Sequence, residues 1–313
     1  MNIDKRYIDL IMNVSSRAAL ASYHLVGKKD KIAADKAAVD SMRNELNKIE
    51  MEGQIVIGEG ELDEAPMLYI GEKLGLMNGP KLDIAVDPLE GTNFAANNLP
   101  GALSVIAVAN KDNLFSAPET YMNKISANIS EPAVIDLDYS VKKNIYNLAD
   151  YKNTKPENLT ACLLDRPRHK KMITELKKLG VKLKLISDGD VSGALLITEE
   201  KYNVDIFLGI GGGPEGVLAA SALDTYNCFF QGRFIFETDK DKLRAQKMGI
   251  NDFQKKYELN EIVSGDSIFC ATGITSGELM SGIQIDNDEF ISETLITHKS
   301  SGLKEVIKSK KRI

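Results

Sequence analysis

Three strand–helix pairs in the second half of the sequence constrain its fold more than any other feature. Apolar residues 161–164 precede a helical pattern over 167–179, residues 182–186 precede one over 190–197, and residues 204–208 precede one over 214–223. A short apolar run buries as a strand, and a helix that follows it covers the sheet, so repeated alternation demands layers of helix on sheet. The first half adds helices over 4–26 and 32–49 and a strand at 54–57 ending in Gly58. It then adds a proline-containing helix over 65–74, a strand over 82–86 and a continuous apolar strand over 103–109. The polar, proline-bearing stretch 152–158 is the most linker-like place, dividing the chain into α/β halves 1–158 and 159–313 that work as one unit. The basic tail from Lys304 reads as a solvated end.

Composition narrows the class. Hydrophobic residues make up 43% of the 313, enough for a sizeable core, and 45 acids against 39 Lys plus Arg leave a net charge of −6. That balance argues against nucleic-acid or anionic-membrane binding, which needs a basic surface. No run approaches the ~20 apolar residues that cross a bilayer, and Met1–Arg6 lacks the apolar run of a signal peptide. Cys162, Cys228 and Cys270 are odd in number, far apart and without a CxxC spacing. They read as buried reduced thiols of a cytoplasmic protein.

Two acidic segments carry the chemistry. In Asp83-Ile-Ala-Val-Asp87-Pro88-Leu-Glu90-Gly91-Thr92, a strand ends at Asp87, Pro88 turns the chain, and Gly91-Thr92 opens a helix. Asp87 and Glu90 then share the crevice at a strand end where α/β proteins bind ligands. Two such charges about 4 Å apart repel by roughly 1–4 kcal/mol. A divalent ion offsets that repulsion, and an all-oxygen site suits Mg²⁺ or Mn²⁺. Gly58-Glu59-Gly60-Glu61-Leu-Asp63-Glu64 follows another strand with four carboxylates in six positions. His24, His169 and His298 have no zinc spacing, and His169 follows two arginines on a basic edge.

These segments carry a resemblance. Asp87-Pro-Leu-Glu90-Gly91-Thr92 is similar to the motif of metal-dependent sugar phosphatases, the group that includes inositol monophosphatases. Residues 57–72, with Ala117-Pro118, Tyr121-Met122, Arg166-Pro167-Arg168-His169, Asp188-Gly189-Asp190, the run 209–216 and Cys270-Ala-Thr272-Gly273-Ile274-Thr275, resemble class II fructose-1,6-bisphosphatase, the bacterial gluconeogenic form. The resemblance covers about residues 15–300. It implies a layered αβαβα sugar-phosphatase fold, two Mg²⁺ or Mn²⁺ per active site, a homo-oligomer (dimer or tetramer), and a small-molecule sugar bisphosphate as substrate. The implied reaction is hydrolysis of fructose 1,6-bisphosphate to fructose 6-phosphate.

By motif position the resemblance implies Asp35 and Glu59 as ligands of one metal and Asp87, Glu90 and Glu215 as ligands around a second. Thr92 corresponds to the catalytic threonine that orients the attacking water. Substrate contacts map to Glu90, Gly91, Thr92, Tyr121, Arg166, Pro167, Arg168, Asp188, Gly189, Asp190 and Gly212. Backbone N–H groups at Gly91 and Thr92 and the forked guanidinium donors of Arg166 and Arg168 suit phosphate oxygens. Asp188 and Asp190 suit sugar hydroxyls, or a turn and helix cap. The stretch 232–248 looks shorter than in relatives, with 237–242 a tight exposed connection, and the end after Thr297 is divergent.

Rival readings remain at this level. Gly211-Gly-Gly213-Pro-Glu-Gly216 fits GxGxxG by the letter, between a strand and a helix, with Glu237 about twenty residues on, which is the dinucleotide fingerprint of a dehydrogenase. Pro214, which lacks an N–H, and the charge of Glu215 weigh against it. A sugar-phosphate sensor without turnover is a second alternative, and sedoheptulose 1,7-bisphosphate or an inositol phosphate is a rival substrate.

Overall fold

The computed structural model describes residues 2–58 and 67–313. They form two compact units, one of residues 1–119 and 262–313 and one of residues 120–261. The division therefore falls at 119/120 and 261/262 rather than at the linker-like 152–158. That stretch lies inside the second unit, where the short turn Pro156–Asn158 feeds the Thr160–Leu164 strand. Polar composition there reflects an exposed connection, not a boundary.

The first unit packs two helices, Arg6–Tyr23 and Lys31–Leu46, on one face of a mixed sheet. Among the described residues the sheet runs Gln284–Asp286, Glu289–His298, Ser267–Gly273, Leu103–Asn110, Lys81–Glu90, Glu52–Ile57, Lys73–Leu74, with Leu303–Arg312 paired to the outer side of Glu289–His298. Leu82, Ile84, Val86, Leu89, Ile106 and Val108 join Ile11, Ala18, Ala38 and Met42 of the helices in one buried core. Asp83, Ala85, Asp87 and Glu90 occupy the opposite face, by register with Ala109, Ala107, Val105 and Leu103.

Three expectations are corrected here. The Lys81–Glu90 strand does not end at Asp87 but runs through Pro88. The described part of the expected 65–74 helix, from Met67, is turns and the short Lys73–Leu74 strand. Its backbone bonds go to the neighbouring strand instead, Gly71 N–H to Ile55 O at 2.8 Å and Ile55 N–H to Glu72 O at 2.9 Å. Residues 65 and 66 lie outside the described residues. The tail from 303 is a strand, zipped to Glu289–His298 over ten residue pairs, with Lys304, Lys308 and Lys310 exposed and Lys311 turned in toward Asn13 and Ser16. Charge there marks a guarded edge strand.

In the second unit the sheet order is Tyr257–Glu258, Phe229–Ile235, Tyr121–Ala127, Ile206–Gly212, Thr160–Leu164, Lys182–Ile186. The last three strands are parallel to one another, and Tyr121–Ala127 is antiparallel to Ile206–Gly212. Helices Val141–Tyr151 and Lys170–Lys178 cover one face, burying Ile145, Leu148 and Leu176 against Ala161, Leu163, Ile206 and Leu208. Helices Asp190–Leu195 and Gly213–Tyr226 lie on the other, where Gly193 meets Phe207 and Gly216 meets Met122. The expected strand–helix pairs are all present. Residues 237–242, expected as an exposed connection, start the helix Asp239–Lys247, which Thr238 and Asp241 close with a reciprocal capping box. The three cysteines are free and buried. No described helix is long and apolar enough to cross a membrane.

Candidate active site

In the first unit, one extra residue sets the geometry of the acidic turn. Asp87 pairs with Val105 and Glu90 with Leu103, so three steps on one strand oppose two on the other. In a regular strand residues three apart point to opposite faces; a one-residue bulge returns them to the same face. Pro88 sits in this bulge, where the ladder needs no N–H. Asp87 and Glu90 thus share a face through a bulge rather than through a turn, with Glu90 buried at 3% exposure. Gly91, at φ +78°, then redirects the chain into the helix Thr92–Asn97. Its carbonyl accepts from Phe94 N–H at 2.8 Å and Ala95 N–H at 3.1 Å, and a Cβ there would stand 2.8 Å from the Phe94 ring. Only glycine suits both demands.

Asp35 is brought to this helix by the loop before it. Gly27 N–H donates to Ala95 O and Lys29 N–H to Ala96 O, each at 2.9 Å, and Asp30 caps the next helix by accepting from Ala33 N–H. Asp35 lies one turn further on and is buried. Glu59 lies outside the described residues, as do Glu61, Asp63 and Glu64. Among the described residues, no group of three or more His, Cys, Asp or Glu stands close enough together to hold a metal ion. The donor chemistry of the expected set is nevertheless uniform: hard carboxylate oxygens, two of them on buried side chains, which suit Mg²⁺, Mn²⁺ or Ca²⁺ rather than a soft metal.

The second unit gathers its expected residues at one edge of its sheet. Arg166, Pro167 and Arg168 follow the Thr160–Leu164 strand, Asp188, Gly189 and Asp190 follow Lys182–Ile186, and Gly212 ends Ile206–Gly212. These are the carboxyl ends of three parallel strands, and Tyr121, paired with Gly212 at the start of an antiparallel strand, lies at the same edge. The Arg168 guanidinium sits over the Tyr121 ring, 4.9 Å from its centroid, and its Nε donates to Ile210 O at 2.9 Å. Arg166 faces Asp188 at 3.7 Å. Gly189, at φ +85°, precedes the Asp190–Leu195 helix, and neither aspartate caps it.

His169 does not line the basic edge. It is buried, with Nε2 accepting from Ile210 N–H at 2.8 Å, which leaves Nδ1 to donate to Leu164 O at 2.7 Å. Burial pulls its pKa below the usual value, and the charges of Arg168 and Arg166 add to that.

The glycine run has a specific cause. A Cβ on Gly211 would overlap the Asp190 carboxylate, and one on Gly212 would overlap the Glu215 carboxylate. Side-chain carboxylates thus occupy the space that a dinucleotide fingerprint leaves for pyrophosphate. Pro214 begins the helix, as its position suggests. One buried polar residue here escaped sequence reading. Lys124, 1% exposed, ion-pairs with Asp190 and donates to Gly212 O at 2.6 Å. The strand that holds it, Tyr121–Ala127, was not expected; its period-two alignment with Met122 was the available signal.

The model of the family described as bacterial fructose-1,6-bisphosphatase, glpX-encoded, matches residues 6–311. The chain belongs to that family. It is a hydrolase of fructose 1,6-bisphosphate in carbohydrate metabolism, and a divalent-metal requirement goes with the family. Similar to this chain are two proteins from Prochlorococcus marinus, both named D-fructose 1,6-bisphosphatase class 2/sedoheptulose 1,7-bisphosphatase. That of strain MIT 9301 is 40% identical over 308 residues, 94% of this chain and 92% of the relative. That of strain MIT 9515 is 41% identical over 300 residues, covering 91% and 90%. A solved extragenic suppressor protein suhB from Bartonella henselae aligns with 63% of this chain and 73% of its own at 10% identity and a TM-score of 0.37.

Proposed function

We propose that the chain removes the 1-phosphate of fructose 1,6-bisphosphate with two Mg²⁺ or Mn²⁺ ions, and that water is the nucleophile with no covalent intermediate. Asp35, Glu59, Asp87 and Glu90 in the first unit and Glu215 in the second are the carboxylates assigned to the metals. When bound, the ions supply charge neutralisation for the phosphoryl oxygens and acidify the attacking water. The Thr92 hydroxyl orients that water, and the N–H groups of Gly91 and Thr92 bind phosphoryl oxygens. Arg166 and Arg168 bind the distal phosphate, Tyr121 braces Arg168, and Asp188 with Gly189, Asp190, Pro167 and Gly212 forms the sugar side.

The observation that carries this reading is the bulge at Pro88, which puts Asp87 and Glu90 on one face immediately before Thr92. Phosphate release with Mg²⁺ or Mn²⁺ across fructose, sedoheptulose and inositol phosphates tests it, and absence of release from fructose 1,6-bisphosphate refutes it. The names of both Prochlorococcus relatives favour a second reading, in which sedoheptulose 1,7-bisphosphate is also hydrolysed. The same panel decides that.

A further inference from the structure

We infer that Lys124 is a positioning residue for Glu215, with Asp190 as the counter-charge that fixes it. This rests on the reading of Glu215 as a metal donor and adds a residue to it. Lys124 lies on the Tyr121–Ala127 strand, on the face shared with Met122. Its neighbour Ile125 faces the core of the Val141–Tyr151 and Lys170–Lys178 helices instead. The side chain therefore rises toward the start of the Gly213–Tyr226 helix, and its Cδ and its Nζ both meet the Glu215 segment. A Cβ on Gly216 would stand 3.1 Å from Lys124 Cδ, so the aliphatic stem runs directly beneath the residue after Glu215. The ammonium donates to Gly212 O at 2.6 Å, on the residue against which the Glu215 carboxylate lies.

Lys124 thus brackets Gly212–Gly216, and Glu215 lies between the two contacts. A buried ammonium is costly unless paired, and Asp190, 7% exposed, supplies the pair. The Asp190 carboxylate fills the space beside Gly211 that a Cβ would take, so Gly211 backs the partner of the ammonium. A methionine would fill the stem's space but would leave Gly212 O and the Asp190 carboxylate without their donor. The Glu215 turn would lose its anchor while the helix behind it stayed packed.

Calorimetric titration of the substrate-free protein with Mn²⁺ tests this without turnover. Residues that orient metal ligands typically change affinity about 10–100-fold when replaced. Lys124→Met should weaken Mn²⁺ binding about tenfold. Lys124→Met with Asp190→Asn removes both buried charges, should melt near the wild-type temperature, and should still bind Mn²⁺ weakly. In a Glu215→Gln background Lys124→Met should add no further loss, because its effect passes through Glu215. Wild-type Mn²⁺ affinity in the Lys124→Met, Asp190→Asn protein, or additive losses with Glu215→Gln, would overturn the inference. Should Glu215→Gln alone bind Mn²⁺ as tightly as wild type, the metal reading of Glu215 itself fails and Lys124 falls with it. A weakened Glu215→Gln with an unaffected Lys124 variant rejects Lys124 alone.

Discussion

His169 and Ile210 are joined by a hydrogen bond from the Ile210 backbone N–H to Nε2 at 2.8 Å, which fixes the imidazole in its neutral, Nδ1-protonated form. The loop that carries Arg166 and Arg168 is thereby stitched to the neighbouring strand at one residue, since Arg168 Nε also donates to Ile210 O.

A neutral, buried imidazole makes this stitch sensitive to acid. Because burial depresses the folded pKa, the unfolded chain takes up a proton near 6.5 that the folded chain refuses. Stability from this group is complete above about pH 6.5 and falls as pH drops below it. KM for fructose 1,6-bisphosphate should rise only at lower pH still, through the depressed pKa of the folded state, where protonated Nε2 can no longer accept. His169→Phe should abolish the acid-limb difference in unfolding free energy and cost about 2–4 kcal/mol at pH 7.5 for two unsatisfied backbone groups. An unchanged acid limb in the variant would refute the assignment.

Arg168→Ala should raise KM about tenfold or more with little change in kcat, since a distal phosphate is held alike in ground and transition states. Arg168→Lys should recover only part, because lysine lacks the fork that reaches Ile210 O while lying over Tyr121. Steady-state kinetics decide; a loss confined to kcat contradicts the role.

Thr92→Ala should lower kcat roughly 10²-fold while leaving product binding and melting temperature near wild type, the scale of one lost positioned group. Thr92 opens a short helix whose first hydrogen bonds close on Gly91 O, made by backbone groups and not by its hydroxyl. Unaltered turnover removes Thr92 from the mechanism.

Gly212→Ala places a methyl where the Glu215 carboxylate lies. The Mn²⁺ concentration for half-maximal activity should rise at least several-fold, more than KM does. Equal, small changes in both would indicate that Glu215 is not a metal donor.

Lys311 offers a test far from any catalytic assignment. Burial, with Arg17 nearby, pushes its pKa down to about 8, and its Nζ donates to Asn13 Oδ1 and Ser16 Oγ on the first helix. Between about pH 8 and 10.5 the unfolded chain holds a proton that the folded chain has released, so stability rises with pH across that window. Urea unfolding of wild type against Lys311→Met should reveal a difference growing by roughly 1–2 kcal/mol, after discount for the partly exposed side chain. A flat difference would refute it.

Much of the architecture was legible because apolar period reports burial directly. The strands at 161–164 and 182–186 and the helices that follow them needed only that. The acidic turn was legible in composition but not in mechanism: Asp87, Pro88 and Glu90 read as a turn, since a lone sequence cannot reveal which partner residue a strand skips. The helix expected from 65 failed because Ile55 accepts from Gly71 N–H and donates to Glu72 O, across a strand pair that no local pattern announces. The tail from Lys304 misled through its charge, as an edge strand with alternate lysines has the composition of a solvated end. Asp35 and Lys124 were beyond local reading altogether. One is a helical aspartate marked only by family likeness, and the other a strand lysine whose meaning depends on Asp190, 66 residues away.

The bulge at Pro88 makes this stretch tolerant of substitution in one respect and intolerant in another. Exchanging Leu89 for another aliphatic residue leaves the phase of the strand untouched. Inserting a single residue between Asp87 and Glu90 with the bulge kept would carry the glutamate to the other face, into the apolar layer beneath the helices. The segment is bound to its spacing more strictly than to its spelling.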